Sequence, residues 1–221
     1  ALYFVNEFGS GAAIFKNLVR GEFHFEPASE MEHIRRWKAA AAFPAPGRML
    51  VVDKTGELTA HLEFLAGSGP DRASAEHVSW LWYSFLNWML FGTNVLARGE
   101  RVRALDCLSA LHRYLLWLAR VHEGTTEHWQ TPSKGAEHDL SPAALAMYAR
   151  CTATLQDGGL EQAYLRAWAW GNGLIRDLAG RLDLDLNEAL VASLDARFRG
   201  LAARHGSHDA GESEPGVLFG E

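Results

Sequence analysis

The chain is poor in cysteine and has no excess of positive charge, and each shortage excludes a class of protein. Cys107 and Cys151 are the only cysteines among 221 residues. Two are too few for a disulfide-stapled scaffold, and they favour a reducing, cytoplasmic setting. The 21 Lys and Arg residues against 27 Asp and Glu residues give a net charge of −6. This balance argues against nucleic acid as a partner, because no basic stripe is available to neutralise phosphates.

Long hydrophobic runs are also lacking. Ser, Asn, Gly or Arg interrupts the longest apolar stretches well before the roughly 18 residues that a membrane span requires. The sequence opens on Ala1 with neither an initiator methionine nor a charged leader, so we expect no signal peptide there. Its first residues are apolar and strand-like, which indicates that the sequence begins inside a domain.

What remains is a globular composition, with 48% hydrophobic and 22% charged residues, sufficient to bury a sizeable core. The first 60 residues have short strand patterns separated by turn residues. We predict strands over residues 2–6, 12–18, 19–25 and 49–53, the first two forming a hairpin, and a short helix over 31–42.

From about residue 60 the pattern becomes helical, and we predict helices over 74–98, 101–122, 143–155, 160–182 and 186–203. The first is apolar almost all round, which predicts a position in the middle of a bundle. Gly99 is typical of the residue that follows a helix, and Ser141-Pro142 is typical of a helix start. We therefore expect an α+β protein with a β-rich part over 1–60, a helical domain over 61–205 and a flexible tail over 206–221.

Residues 20–25 contain the strongest candidate site. Strand alternation places Arg20, Glu22 and His24 on one face. A carboxylate between an arginine and a histidine suits a site for a hard cation and phosphate, because the carboxylate holds the metal or takes a proton while the guanidinium neutralises phosphate oxygens. The alternative interpretation is a solvated strand face with a cross-strand ion pair.

A second candidate is a polar stripe on the first long helix. At 3.6 residues per turn, Tyr83, Asn87, Asn94 and Arg98 lie close together around the helix axis. Such a stripe on an apolar helix faces either a wet cleft or a buried hydrogen-bond network, and the sequence leaves both open. The eight tryptophans are mostly at helical spacing, which is typical of core packing and does not show which of them line a ligand pocket.

Two strings resemble the lincosamide nucleotidyltransferases of the large, two-domain type. The first consists of residues 3–9 and 14–25 and includes Arg-Gly-Glu-Phe-His-Phe at positions 20–25, and the second consists of residues 91–100 followed by residues 103–105. The resemblance continues in order to about residue 200. It implies part of a polymerase-β-like nucleotidyltransferase sheet followed by an α-helical bundle domain. It also implies transfer of AMP from ATP to a hydroxyl of lincomycin or clindamycin.

The resemblance gives the candidate residues specific roles. It implies that Glu22 is the third active-site carboxylate, acting as general base or magnesium ligand. We expect Arg20, Asn94, Arg98 and Arg103 to bind the nucleotide, and His24, Tyr83 and Asn87 to line the substrate pocket. The resemblance further implies Mg²⁺ as cofactor and a homodimer, with no nucleic acid or membrane as partner.

The sequence departs from the family in one respect. The family has a Gly-Ser turn followed by a strand with Asp-x-Asp/Glu, and Gly9-Ser10 is not followed by that motif. We therefore expect an N-terminally truncated enzyme that is nearly inactive alone, because one carboxylate does not supply the several oxygen ligands that Mg²⁺ takes. Two alternatives stay open: an aminoglycoside nucleotidyltransferase, and a non-catalytic helical module for binding or dimerisation.

Overall fold

A computed structural model describes residues 1–156 and 158–206 of the chain, with residues 201–206 described as backbone only. The chain divides into two compact units after Pro70, at the end of the Gly-Ser-Gly-Pro break of residues 67–70. The first unit contains a small antiparallel sheet and the second is helical, so the predicted α+β class is confirmed. All but the first residue of the predicted tail over 206–221 lies outside the described residues.

Three short strands form the sheet of the first unit. They are β1 (Leu2–Val5), β2 (Gly11–Ile14) and β3 (Arg20–Phe23), and they pair as antiparallel neighbours in that order. Ala12 lies opposite Glu22 across the β2–β3 pair. Because side chains alternate along a strand, Arg20 and Glu22 share one face of the sheet, as predicted.

The β1–β2 turn is organised by the side chain of Asn6. Its Oδ1 accepts hydrogen bonds from the backbone N–H groups of Phe8 and Ser10, each at 3.0 Å. Asn side chains commonly fold back on the chain in this way, which favours them in turns. The turn therefore fixes the register of the predicted hairpin.

After β3, the first unit contains three helices joined by irregular segments. A 3₁₀ helix over Ala28–Ala39 begins before the predicted helix of residues 31–42, a second 3₁₀ helix covers Pro46–Met49, and α1 covers Glu57–Leu65. The fourth strand predicted over 49–53 is wrong, since none of these residues joins the sheet. Their apolar side chains match a strand pattern, but no neighbouring strand pairs with them.

The second unit contains α2 (Ala75–Ala97), α3 (Arg101–Glu123), α4 (Ala136–Asp139), α5 (Pro142–Arg150), α6 (Gly159–Leu182) and α7 (Glu188–Gly206). The helix α2 packs along α3, α6 packs on both, and α7 packs on α6. Ser141 caps α5 as predicted, its Oγ accepting a hydrogen bond from Ala144 N–H at 3.2 Å. No described helix is both long enough and apolar enough to cross a membrane.

Stacked aromatic rings fill the core between α2, α6 and α7. The ring centroids of Trp82 and Phe85 lie 5.9 and 6.4 Å from that of Trp168, and Phe198 lies 4.9 Å from it on the α7 side. Gly171 allows this approach, because a Cβ there would meet the Phe85 ring at 2.4 Å. The predicted bundle core is therefore confirmed on this side of α2.

The helix α2 packs on α3 and α6 in the bundle, as predicted, but one of its sides is exposed. Its apolar residues Val78, Leu81 and Phe85 are buried, but Trp80 and Tyr83 are exposed. Aromatic side chains count as apolar in a periodicity pattern whether they point into the core or outward. The pattern therefore hides an exposed helix face made of aromatic and amide side chains.

A buried arginine anchors the segment between α3 and α5. Arg120 is fully buried and donates hydrogen bonds to the backbone carbonyls of Thr125, Pro132 and Lys134 at 2.7–2.8 Å. It also donates to Asp139 Oδ2 at 2.9 Å. Burial of a cation is costly unless it is paired and hydrogen-bonded, and these four partners satisfy that condition.

Candidate functional site

The Glu22 carboxylate lies at the centre of a polar cluster on the sheet. Arg20 Nη2 donates to Oε2 at 2.7 Å and Asn6 Nδ2 donates to Oε1 at 3.2 Å. His24 Nε2 lies 3.7 Å from Oε1. The three residues predicted from the strand alternation are thus neighbours in space, and the hairpin turn adds Asn6 to them.

The cluster keeps Glu22 ionised. The hydrogen bond from Arg20 lowers the pKa of Glu22 below its usual range, and the charge of Arg20, the Asn6 bond and the nearby His24 act in the same direction. A carboxylate with a low pKa stays negative at neutral pH. It is therefore available to accept a hydrogen bond from a hydroxyl group or to attract a cation.

Ser10 joins the cluster through His24. Its Oγ lies 3.2 Å from His24 Nδ1, and Ser10 is one of the few polar residues that are buried in the described part of the chain. Sequence reasoning missed both Ser10 and Asn6, because their approach to β3 depends on the register across the hairpin. An Asn that opens a glycine-containing turn is the signal that points to such a fold-back.

The alternative interpretation of this strand face, a solvated surface with a cross-strand ion pair, is correct in part. Arg20 and Glu22 do form an ion pair, but they lie on the same strand, so the pair runs along β3 rather than across strands. Exposed ion pairs contribute little to stability. The contacts of Asn6 with Glu22 and of Ser10 with His24 run from the β1–β2 turn to β3 and to the residue that follows it.

The residues of this cluster do not fit a complete magnesium site. Mg²⁺ takes an octahedral set of oxygen ligands, and Glu22 is the one carboxylate of the cluster, with both oxygens already hydrogen-bonded. No group of three or more His, Cys, Asp or Glu residues suited to a metal ion occurs in the described part of the chain.

The predicted polar stripe on α2 is exposed. Tyr83, Asn87, Asn94 and Arg98 all reach the surface, so the stripe is not the buried hydrogen-bond network that was its alternative. Asn94 Oδ1 accepts a hydrogen bond from Arg197 Nη2 on α7.

The two arginines at the α2–α3 turn share one carboxylate. Arg98 Nε donates to Glu100 Oε1 at 2.6 Å, and Arg103 Nη1 donates to Glu100 Oε2 at 3.1 Å. The hydrogen bond from Arg98, followed by that from Arg103, lowers the pKa of Glu100. Phosphate binding by these arginines would therefore compete with Glu100.

Residues 74–197 match the family model of the lincosamide nucleotidyltransferase-like C-terminal domain. The match covers more than half of the chain, beginning at Ser74, the N-cap of α2, and ending within α7. The chain belongs to this family. The family predicted from the sequence is thereby confirmed, and family membership indicates a nucleotidyltransferase. No curated protein matches the chain.

The lincosamide nucleotidyltransferase-like match lies entirely in the second unit. It therefore includes Tyr83, Asn87, Asn94, Arg98 and Arg103 but assigns no role to any of them. The Glu22 cluster lies outside the matched range, so its role stays a prediction.

Proposed function

We propose that this chain acts in an enzyme that transfers AMP from ATP to a hydroxyl group of a lincosamide. The observation that carries the proposal is the ionised Glu22 carboxylate, held by Arg20 and Asn6 on a strand face next to His24. Membership of the lincosamide nucleotidyltransferase-like family supports the reaction class.

In the proposed reaction, the acceptor oxygen attacks the α-phosphorus of ATP. A new oxygen–phosphorus bond forms, the bond from the α-phosphorus to the oxygen bridging the β-phosphate breaks, and pyrophosphate leaves with that electron pair. The acceptor proton passes to a Glu22 oxygen. Catalysis of phosphoryl transfer rests largely on positioning and charge stabilisation, so a carboxylate that orients the hydroxyl is effective even where its pKa is low.

Arg20 is suited to two contacts at once. A guanidinium has five N–H donors, and the bond to Glu22 Oε2 uses the Nη2 group. The side chain is more than half exposed, so other N–H groups are available to phosphate oxygens. Arg20 would thus hold the nucleotide beside the carboxylate that orients the acceptor.

Family membership favours a lincosamide over an aminoglycoside as acceptor, because the matched model is that of the lincosamide nucleotidyltransferase-like C-terminal domain. An aminoglycoside carries several ammonium groups, and a site that binds it needs carboxylates to pair with them. The cluster around Glu22 supplies one carboxylate, which is already paired with Arg20.

The test is an adenylylation assay on the protein expressed from the whole open reading frame that encodes this chain. With MgATP, we expect lincomycin to gain the mass of AMP with release of pyrophosphate, and kanamycin to remain unmodified. Glu22→Gln should lower the rate roughly 10²–10⁴-fold, the range for loss of a positioned base.

Glu26→Gln is the matched control, because Glu26 is an exposed glutamate just beyond β3 and should keep full activity. An unchanged rate in Glu22→Gln would favour the non-catalytic module. Modification of kanamycin in place of lincomycin would favour the aminoglycoside alternative. The chain of residues 1–221 alone should show little or no turnover.

A further inference from the structure

A polar cavity opens on the second unit between α3, α5 and the segment that precedes α4. Its volume is about 400 Å³, which is within the range of sites that hold small molecules. Its lining includes Arg113 from α3, Thr131 and Ser133 from the segment before α4, and Tyr148 from α5. None of the described residues that line it is an Asp or a Glu. Arg113 therefore makes the cavity positively charged, which favours an anionic ligand.

The hydrogen-bond donors of this cavity are available to a ligand. Within the described residues, the guanidinium of Arg113 has no ion pair or hydrogen bond, and the hydroxyls of Thr131, Ser133 and Tyr148 have no hydrogen-bond partner. A guanidinium pairs with phosphate through two parallel N–H bonds, and each hydroxyl adds one donor. A phosphate group has three terminal oxygens to accept these bonds, whereas a carboxylate has two. The number of donors therefore fits a phosphate group better than a carboxylate.

Part of the lining is apolar. Leu116 and Pro132 are buried residues that line the cavity. The ring of Tyr148 is partly buried, with its centroid 5.3 Å from that of His112. Apolar surface of this kind contacts the carbon body of a ligand. The cavity therefore suits a phosphate monoester with an apolar or aromatic body better than it suits the bare ion.

The walls of the cavity are fixed by hydrogen bonds to the backbone. Arg120 donates to the Pro132 carbonyl at 2.8 Å, which holds the segment before α4 in place. His112 Nε2 donates to the Cys151 carbonyl at 2.9 Å, which ties α3 to the end of α5. A site whose donors are in place before binding loses less conformational freedom when the ligand arrives.

We propose that this cavity binds the phosphate group of a small phosphate monoester. Arg113 pairs with the phosphate oxygens, and Thr131, Ser133 and Tyr148 donate hydrogen bonds to them. The site lies entirely in the second unit. It goes beyond the proposed transfer of AMP, since none of the candidate residues for that reaction is among the described residues that line the cavity.

The experiment is isothermal titration of the protein expressed from the whole open reading frame with phenyl phosphate, inorganic phosphate and benzoate. Phenyl phosphate should bind most tightly, because inorganic phosphate lacks the apolar body and benzoate has fewer acceptor oxygens. Arg113→Gln should weaken the binding of phenyl phosphate by about tenfold or more, the loss typical of a hydrogen bond to a charged group. Tyr148→Phe keeps the ring and removes one donor, and it should weaken binding a few-fold.

Arg150→Gln is the matched control, because Arg150 is an exposed arginine at the end of α5 that does not belong to the described lining of the cavity. This variant should keep the parent affinity, and thermal melts should show that all variants fold. Equal phenyl phosphate affinity in Arg113→Gln and the parent, or equal losses in Arg113→Gln and Arg150→Gln, would overturn the site. Benzoate that binds as tightly as phenyl phosphate would overturn the choice of a phosphate group.

Discussion

Asp53 shows how one side chain can fix the start of a helix. Its Oδ1 accepts a hydrogen bond from Gly56 N–H at 2.9 Å, and its Oδ2 accepts from the N–H and hydroxyl of Thr59 at 2.8 and 2.7 Å. The first N–H groups of a helix have no hydrogen-bond partner within the helix. The Asp53 carboxylate accepts hydrogen bonds from donors of this kind at the start of α1. These bonds, above all the Thr59 hydroxyl bond, lower the pKa of Asp53 to about 2.

This pKa predicts a pH-dependent contribution of Asp53 to stability. The folded-state pKa of about 2 lies below the usual 3.8. The stabilising contribution of Asp53 is therefore complete at pH values above its usual pKa. It is lost as the pH falls through the pKa of the folded state. Asp53→Asn should lower the melting temperature of the protein at pH 6, and the difference from the parent should shrink as the pH falls from about 4 to 2.

Circular dichroism melts between pH 2 and 7 would measure this effect. Glu63→Gln is a suitable control, since Glu63 is an exposed glutamate on the same helix. A difference between Asp53→Asn and the parent that is equally large at pH 2 and pH 6 would contradict the assignment.

At the scale of elements, the α2–α3 turn determines whether two arginines can reach a phosphate. Arg98 and Arg103 both donate to Glu100, so Glu100 competes with any anion for them. If these arginines bind the nucleotide, Glu100→Gln should tighten ATP binding several-fold, because a neutral amide pairs less strongly with a guanidinium than a carboxylate does. Isothermal titration with ATP measures the change.

Glu137→Gln on α4 serves as the control, because it removes the same charge from an exposed glutamate. Equal ATP affinity in Glu100→Gln, Glu137→Gln and the parent would show that Arg98 and Arg103 do not bind the nucleotide.

Elements defined by local signals could be predicted from the sequence, and elements defined by distant contacts could not. The hairpin and the long helices follow from turn residues and periodicity. The start of α1 depends instead on Gly56 in a left-handed conformation, with φ of 80°, and on the Asp53 carboxylate. The wrong strand over 49–53 has the same origin, since a pattern of β-branched residues does not reveal whether a partner strand is present.

The same distinction applies to the candidate site. Arg20, Glu22 and His24 could be grouped from alternation alone, because they belong to one extended segment. Asn6 and Ser10 depend on the register of the hairpin. The ring contacts of Trp80 on α2 with Tyr114 and Trp117 on α3 depend on the packing of the two helices, which spacing within one helix does not show.

At the scale of the whole molecule, half of the large hydrophobic residues that are exposed in the described part of the chain lie in residues 2–25, which form the sheet and its turns. All four residues of β1 are exposed and uncharged, and β1 is an edge strand. An apolar edge strand with open backbone groups promotes pairing with other chains. We therefore expect residues 1–221, expressed alone, to self-associate, most strongly near the sequence pI of about 5.9, where the net charge is smallest.

Val5→Lys should reduce that association, as measured by light scattering at pH 6. Val5 is 64% exposed on β1, and the control Val102→Lys places the same charge on a residue that is 72% exposed on α3. Either change moves the net charge from −6 to −6 + 1 = −5, closer to zero. A reduction of light scattering in Val5→Lys alone would therefore show that the edge strand β1 causes the association. Equal scattering of the two variants would contradict this prediction.

The guanidinium of Arg120 has a consequence for the connection that follows α3. Three carbonyls and one carboxylate from residues 125–139 accept hydrogen bonds from it. Separation of this segment from α3 would therefore leave a buried cation without its hydrogen-bond partners. We therefore expect this segment, which has little regular structure, to resist local unfolding as strongly as the helices around it. Its amide hydrogens should exchange with solvent on the timescale of bundle opening rather than that of an ordinary surface loop.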